Sequence, residues 1–149
     1  MKFEIKHRYT NSILFSGEFG SLRLCVEAAV SSRADLSRAY LSRADLSRAY
    51  LSGADLSGAD LSGANLGEGW KVESYRDLLW IGPLGSRNDF LMYNVPTGNL
   101  RVGCFGASEP KNLDAFVEAV KATHGESVYA REYLATVKYL RALTAARGS

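Results

Sequence analysis

Arginine binds carboxylates and phosphates through a planar, permanently charged fork, and this chain sets Arg33, Arg38, Arg43 and Arg48 at five-residue intervals, with Tyr40 and Tyr50 among them. Arginine and tyrosine are the residue types that dominate binding hot spots. The set reads either as an anion-binding or protein-contact surface, or as a solvated face whose arginines pair with neighbouring aspartates at little gain each. Further along, Arg87 and Arg101 can line a small basic, aromatic pocket for a nucleotide with Tyr93, provided that their strands are adjacent; ordinary surface charge is the simpler reading. The segment Gly82-Pro83-Leu84-Gly85-Ser86-Arg87 can offer backbone N–H groups and a guanidinium to a phosphate, or serve as a plain turn.

Catalysis has less to stand on. The chain contains no H-E-x-x-H, no G-x-S-x-G, no Walker loop and no dinucleotide fingerprint. His7 and His124 are isolated in sequence, and His124 sits where a cationic side chain suits a helix C-terminus. Cys25 and Cys104 are too few for a disulfide framework or a four-cysteine zinc site and read as buried thiols, although a Cys104/His124 dyad can be drawn. Asp35, Asp45, Asp55 and Asp60 suggest paired carboxylates, but a repeated pattern accounts for them. The expectation is a protein that is not an enzyme and that carries no metal and no cofactor.

That pattern is the main feature of the chain. Leucine recurs at Leu36, Leu41, Leu46, Leu51, Leu56, Leu61 and Leu66, each preceded two residues earlier by alanine, from Ala34 to Ala64. Between them stand Asp35, Tyr40, Asp45, Tyr50, Asp55, Asp60 and Asn65. A period of five fits neither the 3.6 of a helix nor the 2.0 of a strand, so another geometry must bring the leucines together.

The unit Ala-Asp/Asn-Leu-x-x resembles that of the pentapeptide-repeat proteins. The resemblance implies a right-handed quadrilateral β-helix with one pentapeptide per side and four per turn, leucine and alanine inward, and coils stacked at about 4.8 Å. Residues 34–68 make under two turns, a stub that cannot stand alone and whose ends need covering by other structure or another subunit. In such a stack Arg33, Arg38, Arg43 and Arg48 lie near Gly53, Gly58, Gly63 and Glu68 and form a basic rim, while Tyr40 and Tyr50 fall on opposite faces.

The flanks read as covers. Lys2 to Arg8 and Ser12 to Phe19 form a hairpin around Tyr9-Thr10-Asn11, and Ser21 caps a helix from Leu22 to Val30 whose Leu22, Val26 and Ala29 cover the first coil. After the repeat, Leu78 to Ile81, Phe90 to Asn94 and Leu100 to Phe105 form a three-stranded meander. Asn112 caps a helix that Gly125 ends, and a second helix runs from Val128 to Ala145. The predicted fold is thus mixed α/β, with units 1–33, 34–68 and 69–149. Gly103-Cys104-Phe105-Gly106, Leu113-x-x-Phe116-x-x-Ala119-Val120, Thr123-His124-Gly125 and Tyr129-Ala130-Arg131-Glu132-Tyr133 resemble the C-terminal module of phage and prophage pentapeptide-repeat proteins. The link Gly106-Ala107-Ser108-Glu109-Pro110-Lys111 departs from the shorter, Gly-Thr-containing link of that module.

Composition narrows the function class. The chain has 149 residues, 46% of them hydrophobic, with 18 Lys and Arg against 16 Asp and Glu, a balance too even to select nucleic acid or membrane as partner. No segment approaches the roughly 18 apolar residues of a membrane span, so a cytoplasmic protein, in a bacterial host by the phage resemblance, is the default. The leading reading is a non-enzymatic, phage-type interaction protein that binds and modulates a host or phage macromolecule, most simply a protein. One alternative is a counter-defence protein that sequesters a phosphorylated small ligand with Arg33, Arg38, Arg43, Arg48, Arg87 and Arg101. DNA mimicry against a topoisomerase ranks last, because this chain is short and slightly basic. The short repeat block and the Tyr-rich last helix further lead to the expectation of a homodimer or higher oligomer.

Overall fold

A computed structural model describes residues 1–148 apart from Ser52, Arg87, Asn88, Gly103, Cys104, Ala107, Ser108 and Pro110, and Tyr75 by its backbone alone. Alternating side chains open the chain as strand β1 (Lys2–His7), paired antiparallel with β2 (Ile13–Glu18) in the register Ile5↔Phe15. The turn between them is held from inside. Asn11 takes a left-handed φ of 62°, and the His7 ring nitrogen Nδ1 accepts from the backbone N–H of Tyr9 and Thr10 at 3.2 Å each. Helix α1 (Leu22–Ser31) follows, its free N-terminal end met by the Ser21 hydroxyl, which accepts from Leu24 N–H at 3.2 Å. Cys25, Val26 and Ala29 lie on one face and are buried on the repeat, with Leu22 half-buried beside them.

The five-residue period buries its leucines by turning the chain at every unit. From Ala39 to Ala64 each alanine N–H bonds back to the leucine carbonyl three residues earlier, as Ala39 does to Leu36 and Ala59 to Leu56, both at 3.0 Å. The third residue of each turn has positive φ, the signature of a type II turn. Leu36 to Leu66 are thereby collected on one axis, none more than 9% exposed. One lap later the chain lies on itself. Leu41 N–H donates to Asp60 O at 2.9 Å, Asp60 N–H to Ala39 O at 2.8 Å and Leu46 N–H to Asn65 O at 2.8 Å.

These bonds do not amount to the right-handed quadrilateral β-helix that the pentapeptide pattern implies. Among the described residues the strands make two separate open sheets of three antiparallel strands, one built on the N-terminal hairpin and the other on the chain after the repeat, and neither is curled or closed into a solenoid. The repeat contributes one two-residue strand, β3 (Ala39–Tyr40), which pairs with β1, and the isolated parallel bridges Tyr40↔Asp60 and Asp45↔Asn65. The physical reason lies in the unit length: a five-residue unit that spends four residues on a turn leaves too little extended chain for a ladder. The segment is a stack of turns.

The second sheet consists of β4 (Leu78–Leu84), β5 (Asp89–Asn94) and β6 (Leu100–Val102), entered from a short 3-10 turn at Tyr75–Asp77. Side chains alternate across it. Leu78, Trp80 and Met92 join the core of the turn stack together with Trp70 and Val72, whereas Leu91, Tyr93, Leu100 and Val102 join a second core with the helices. Those helices are α2 (Leu113–His124), capped by the Asn112 side chain, and α3 (Val128–Gly148), which buries Ala130, Tyr133, Val137 and Leu140. One sheet thus serves both cores. Asn94, fully buried, pins the junction by donating to Lys71 O and Asp77 O while its own carbonyl accepts from Lys71 N–H. Both ends of the stack are therefore covered within the chain, one by α1 and the other by the linker and sheet. Among the described residues no helix is long and apolar enough to cross a membrane.

Candidate interaction surfaces

The four arginines of the first lap occupy the turn position where φ is positive: 58° at Arg33, 61° at Arg38 and Arg43, and 62° at Arg48. The next lap uses Gly53, Gly58 and Gly63 there. Glycine fits this conformation without strain, and it also leaves room. A Cβ added at Gly58 or Gly63 would lie 3.2 Å from the Cγ of Arg38 or Arg43, so each arginine stem lies over the glycine one lap on. All four arginines are exposed, and among the described residues none of them forms an ion pair. Successive turns send them to different sides of the stack. Arg38 and Arg48 thereby come to two separate places, each beside a different neighbouring segment.

At the Arg38 turn the N-terminal hairpin comes alongside. Arg8 N–H donates to Arg38 O at 2.8 Å, the Arg8 guanidinium donates to Gly58 O at 2.9 Å and lies 4.8 Å from the Tyr9 ring centroid. Lys6 stands opposite Tyr40 in the β1–β3 pairing, which sets their side chains on one face of the sheet. Tyr9 is 72% and Tyr40 55% exposed. Lys6, Arg8, Tyr9, Arg38 and Tyr40 thus gather around one turn, with Glu4 paired to Lys6 at 3.6 Å and Asp60 bridged to Tyr40 at its edge. Tyr50, also exposed, stands apart, its N–H bonded to Glu27 on α1 at 2.9 Å.

Arg48 instead faces the seam between the stack and the second sheet. There a cleft of 760 Å³ is lined by Arg23, Ser47, Arg48, Asn65, Trp70 and Arg101, with Glu68 and Glu109 also on its wall. Arg101 stands on β6 opposite Met92 and so projects from the face that meets the stack. It donates to Leu66 O at 3.2 Å, and its guanidinium lies 4.7 Å from the Trp70 ring centroid. Its Nε is closed off from solvent with no acceptor among the described residues, and burial pulls its pKa below the ordinary arginine value. Tyr93 pairs with Leu100 on the opposite face, buried, its hydroxyl 2.9 Å from that of Thr144. The expected Arg101–Tyr93 pocket is therefore not formed, because neighbouring positions of a strand face opposite ways. Arg87, its third member, lies outside the described residues. Arg23 and Trp70 have no motif to mark them. Only the placement of α1 and of the post-repeat linker brings them here.

The residues that suggested catalysis have local structural partners. Asp35, Asp45, Asp55 and Asp60 each accept from the backbone N–H and the hydroxyl of the serine two residues on, and Asn65 accepts from Gly67 N–H. Hydrogen bonds from Ser37 and Ser47 hold the Asp35 and Asp45 carboxyls below the ordinary range; at Asp60 burial opposes the Ser62 bonds without cancelling them. Cys25 is a fully buried thiol whose pKa burial raises. Cys104 lies outside the described residues, so the drawn dyad does too; the His124 ring packs against Tyr129 and Tyr133. Among the described residues no group of three His, Cys, Asp or Glu could hold a metal ion.

The turn at every fifth residue, the buried Leu–Ala axis and the Asp–Ser bonds all describe one repeated unit. Residues 32–67 match the family of pentapeptide repeats, in 8 copies. The pentapeptide-repeat block thus coincides with the turn stack, and both candidate surfaces join it to neighbouring chain: the hairpin at Arg38, the linker and β6 at Arg48. No curated protein and no solved structure matches the chain.

Proposed function

We propose that this chain is a non-catalytic binding protein whose Lys6–Arg8–Tyr9–Arg38–Tyr40 patch engages an acidic surface of another protein. The observation that carries this reading is the exposure of Arg38 and Tyr40 at a turn where the chain's own second lap has Gly58 and Asp60. Arginine at positive φ is strained relative to glycine, and Arg38 gains no ion pair in return among the described residues. Strain kept without an internal partner is characteristic of functional positions, and Arg with Tyr is the composition of binding hot spots. A stack closed at both ends presents the patch with little entropy to lose on association. The aspartates that DNA mimicry would need already have a structural use, held in their turns by serines. A phage or prophage setting belongs to this reading and is supported by the C-terminal resemblance alone.

The test is capture from a bacterial lysate on the tagged full-length chain. The wild type should retain an acidic protein that rising salt releases, as expected for a charge-steered interface. The variant Arg38→Gly/Tyr40→Asp, which copies residues the chain uses one lap later, should retain none. The same protein captured equally by both would refute the patch.

A further inference from the structure

Among the described residues, Arg101 presents a half-buried guanidinium whose closed-off Nε lacks an acceptor and whose terminal nitrogen is bonded to Leu66 O, a cation short of a counter-ion. Strand alternation makes the position more telling. Arg101 occupies the face from which Trp80 and Met92 enter the apolar core, where a hydrophobic side chain is the expected choice. The two carboxylates on the cleft wall do not pair with it: Glu109 is bound to Lys111 at 2.5 Å, and Glu68 forms no ion pair among the described residues. Arg23 is partly satisfied by Glu27 at 3.2 Å, while Arg48, which also lines the cleft, forms no ion pair among the described residues.

We propose that the cleft between the repeat block and β6 binds a small phosphomonoester, its phosphate held between Arg101 and Arg48. The volume of 760 Å³ is that of a small-molecule site. Three arginines against two glutamates leave one net positive charge, enough for a single phosphate group, while Glu68 and Glu109 oppose a run of several. The same carboxylates and the Asn65 amide can receive or give hydrogen bonds to a polar body attached to the phosphate. Trp70, with Arg101 over its face, holds the guanidinium plane in position for the phosphate. This site is separate from the Arg38 patch and stands or falls apart from it.

The test is isothermal titration calorimetry with paired probes, adenosine monophosphate against adenosine and ribose phosphate against ribose, on the full chain. A phosphorylated member should bind and raise the melting temperature, and its unphosphorylated counterpart should do neither. Arg101→Met should weaken binding at least tenfold while the melting temperature holds or rises, since an apolar side chain suits that face; a merely structural arginine would lower it. Arg48→Gly, unstrained at positive φ, should weaken binding independently. A silent titration with both phosphorylated probes at millimolar concentration would overturn the proposal, as would unchanged binding in both variants. A phosphoserine peptide that binds where neither small probe does would overturn it in favour of a protein-borne phosphate.

Discussion

At the residue scale the turn position decides most. Arg33, Arg38, Arg43 and Arg48 and their glycine successors share one backbone conformation, so arginine there costs about 1–2 kcal/mol of backbone strain relative to glycine. Adding a side chain at a glycine position should show the same cost. Gly63→Ala is expected to destabilise the protein by about 1–2 kcal/mol, since it meets both the positive φ and the Arg43 stem at 3.2 Å, and chemical denaturation would measure it. An unchanged midpoint would show that the stack relaxes around the new methyl group. The aspartates supply a pH dependence with a definite sign. Folded Asp35 and Asp45 have pKa values depressed by their serine bonds, so their stabilisation is complete above the unfolded aspartate value of about 3.9 and is lost as pH falls through the lower folded values. Melting temperature should therefore hold down to about pH 5 and decline below about pH 4, and Asp45→Asn, which copies Asn65, should reduce the decline. The arginines, tyrosines and aspartates were legible because the period displays them. Arg23 and Trp70 were not, because their roles depend on where α1 and the linker dock.

At the element scale the flanks follow their local signals closely. Ser21, Asn112 and Gly125 bound their helices where capping chemistry sets them, whereas β4 runs on through Gly82-Pro83-Leu84, expected as turn, and β6 is described only as Leu100–Val102 of the expected Leu100 to Phe105. Ser21→Ala should cost about 1 kcal/mol through loss of the bond to Leu24 N–H, and thermal denaturation would read it as a lowered midpoint. The repeat shows the limit of pattern reading. The inward leucines implied by the pentapeptide resemblance are found, Leu36 to Leu66 being buried on one axis, but side-chain periodicity does not specify how the backbone pairs. Turn bonds within each unit take the N–H groups of the alanines, and strand pairing reduces to β3 and two isolated bridges in place of a closed helix of sheet. Alternation within β5 and β6 likewise separates Tyr93 from Arg101, a distinction that depends on register and not on composition.

At the scale of the whole molecule, one sheet shared by two cores explains how so short a repeat block is supported. Trp80 and Met92 finish the stack on one side while Leu91 and Leu100 seat the helices on the other. The open coil end, which in sequence is the reason to expect association between copies, is thereby occupied within the chain. What the assembly leaves outward is the pair of arginine-bearing surfaces, each formed only where the repeat meets a neighbouring unit, and neither was visible before the units were put together. The central claim is that Arg38 and Tyr40 serve recognition and not folding. The most direct test sets the thermal melt of Arg38→Gly/Tyr40→Asp beside its affinity for the captured partner. The double variant should melt at or above the wild-type temperature and bind at least tenfold more weakly; a lower melting temperature with wild-type binding by the remaining folded protein would assign Arg38 and Tyr40 to folding instead.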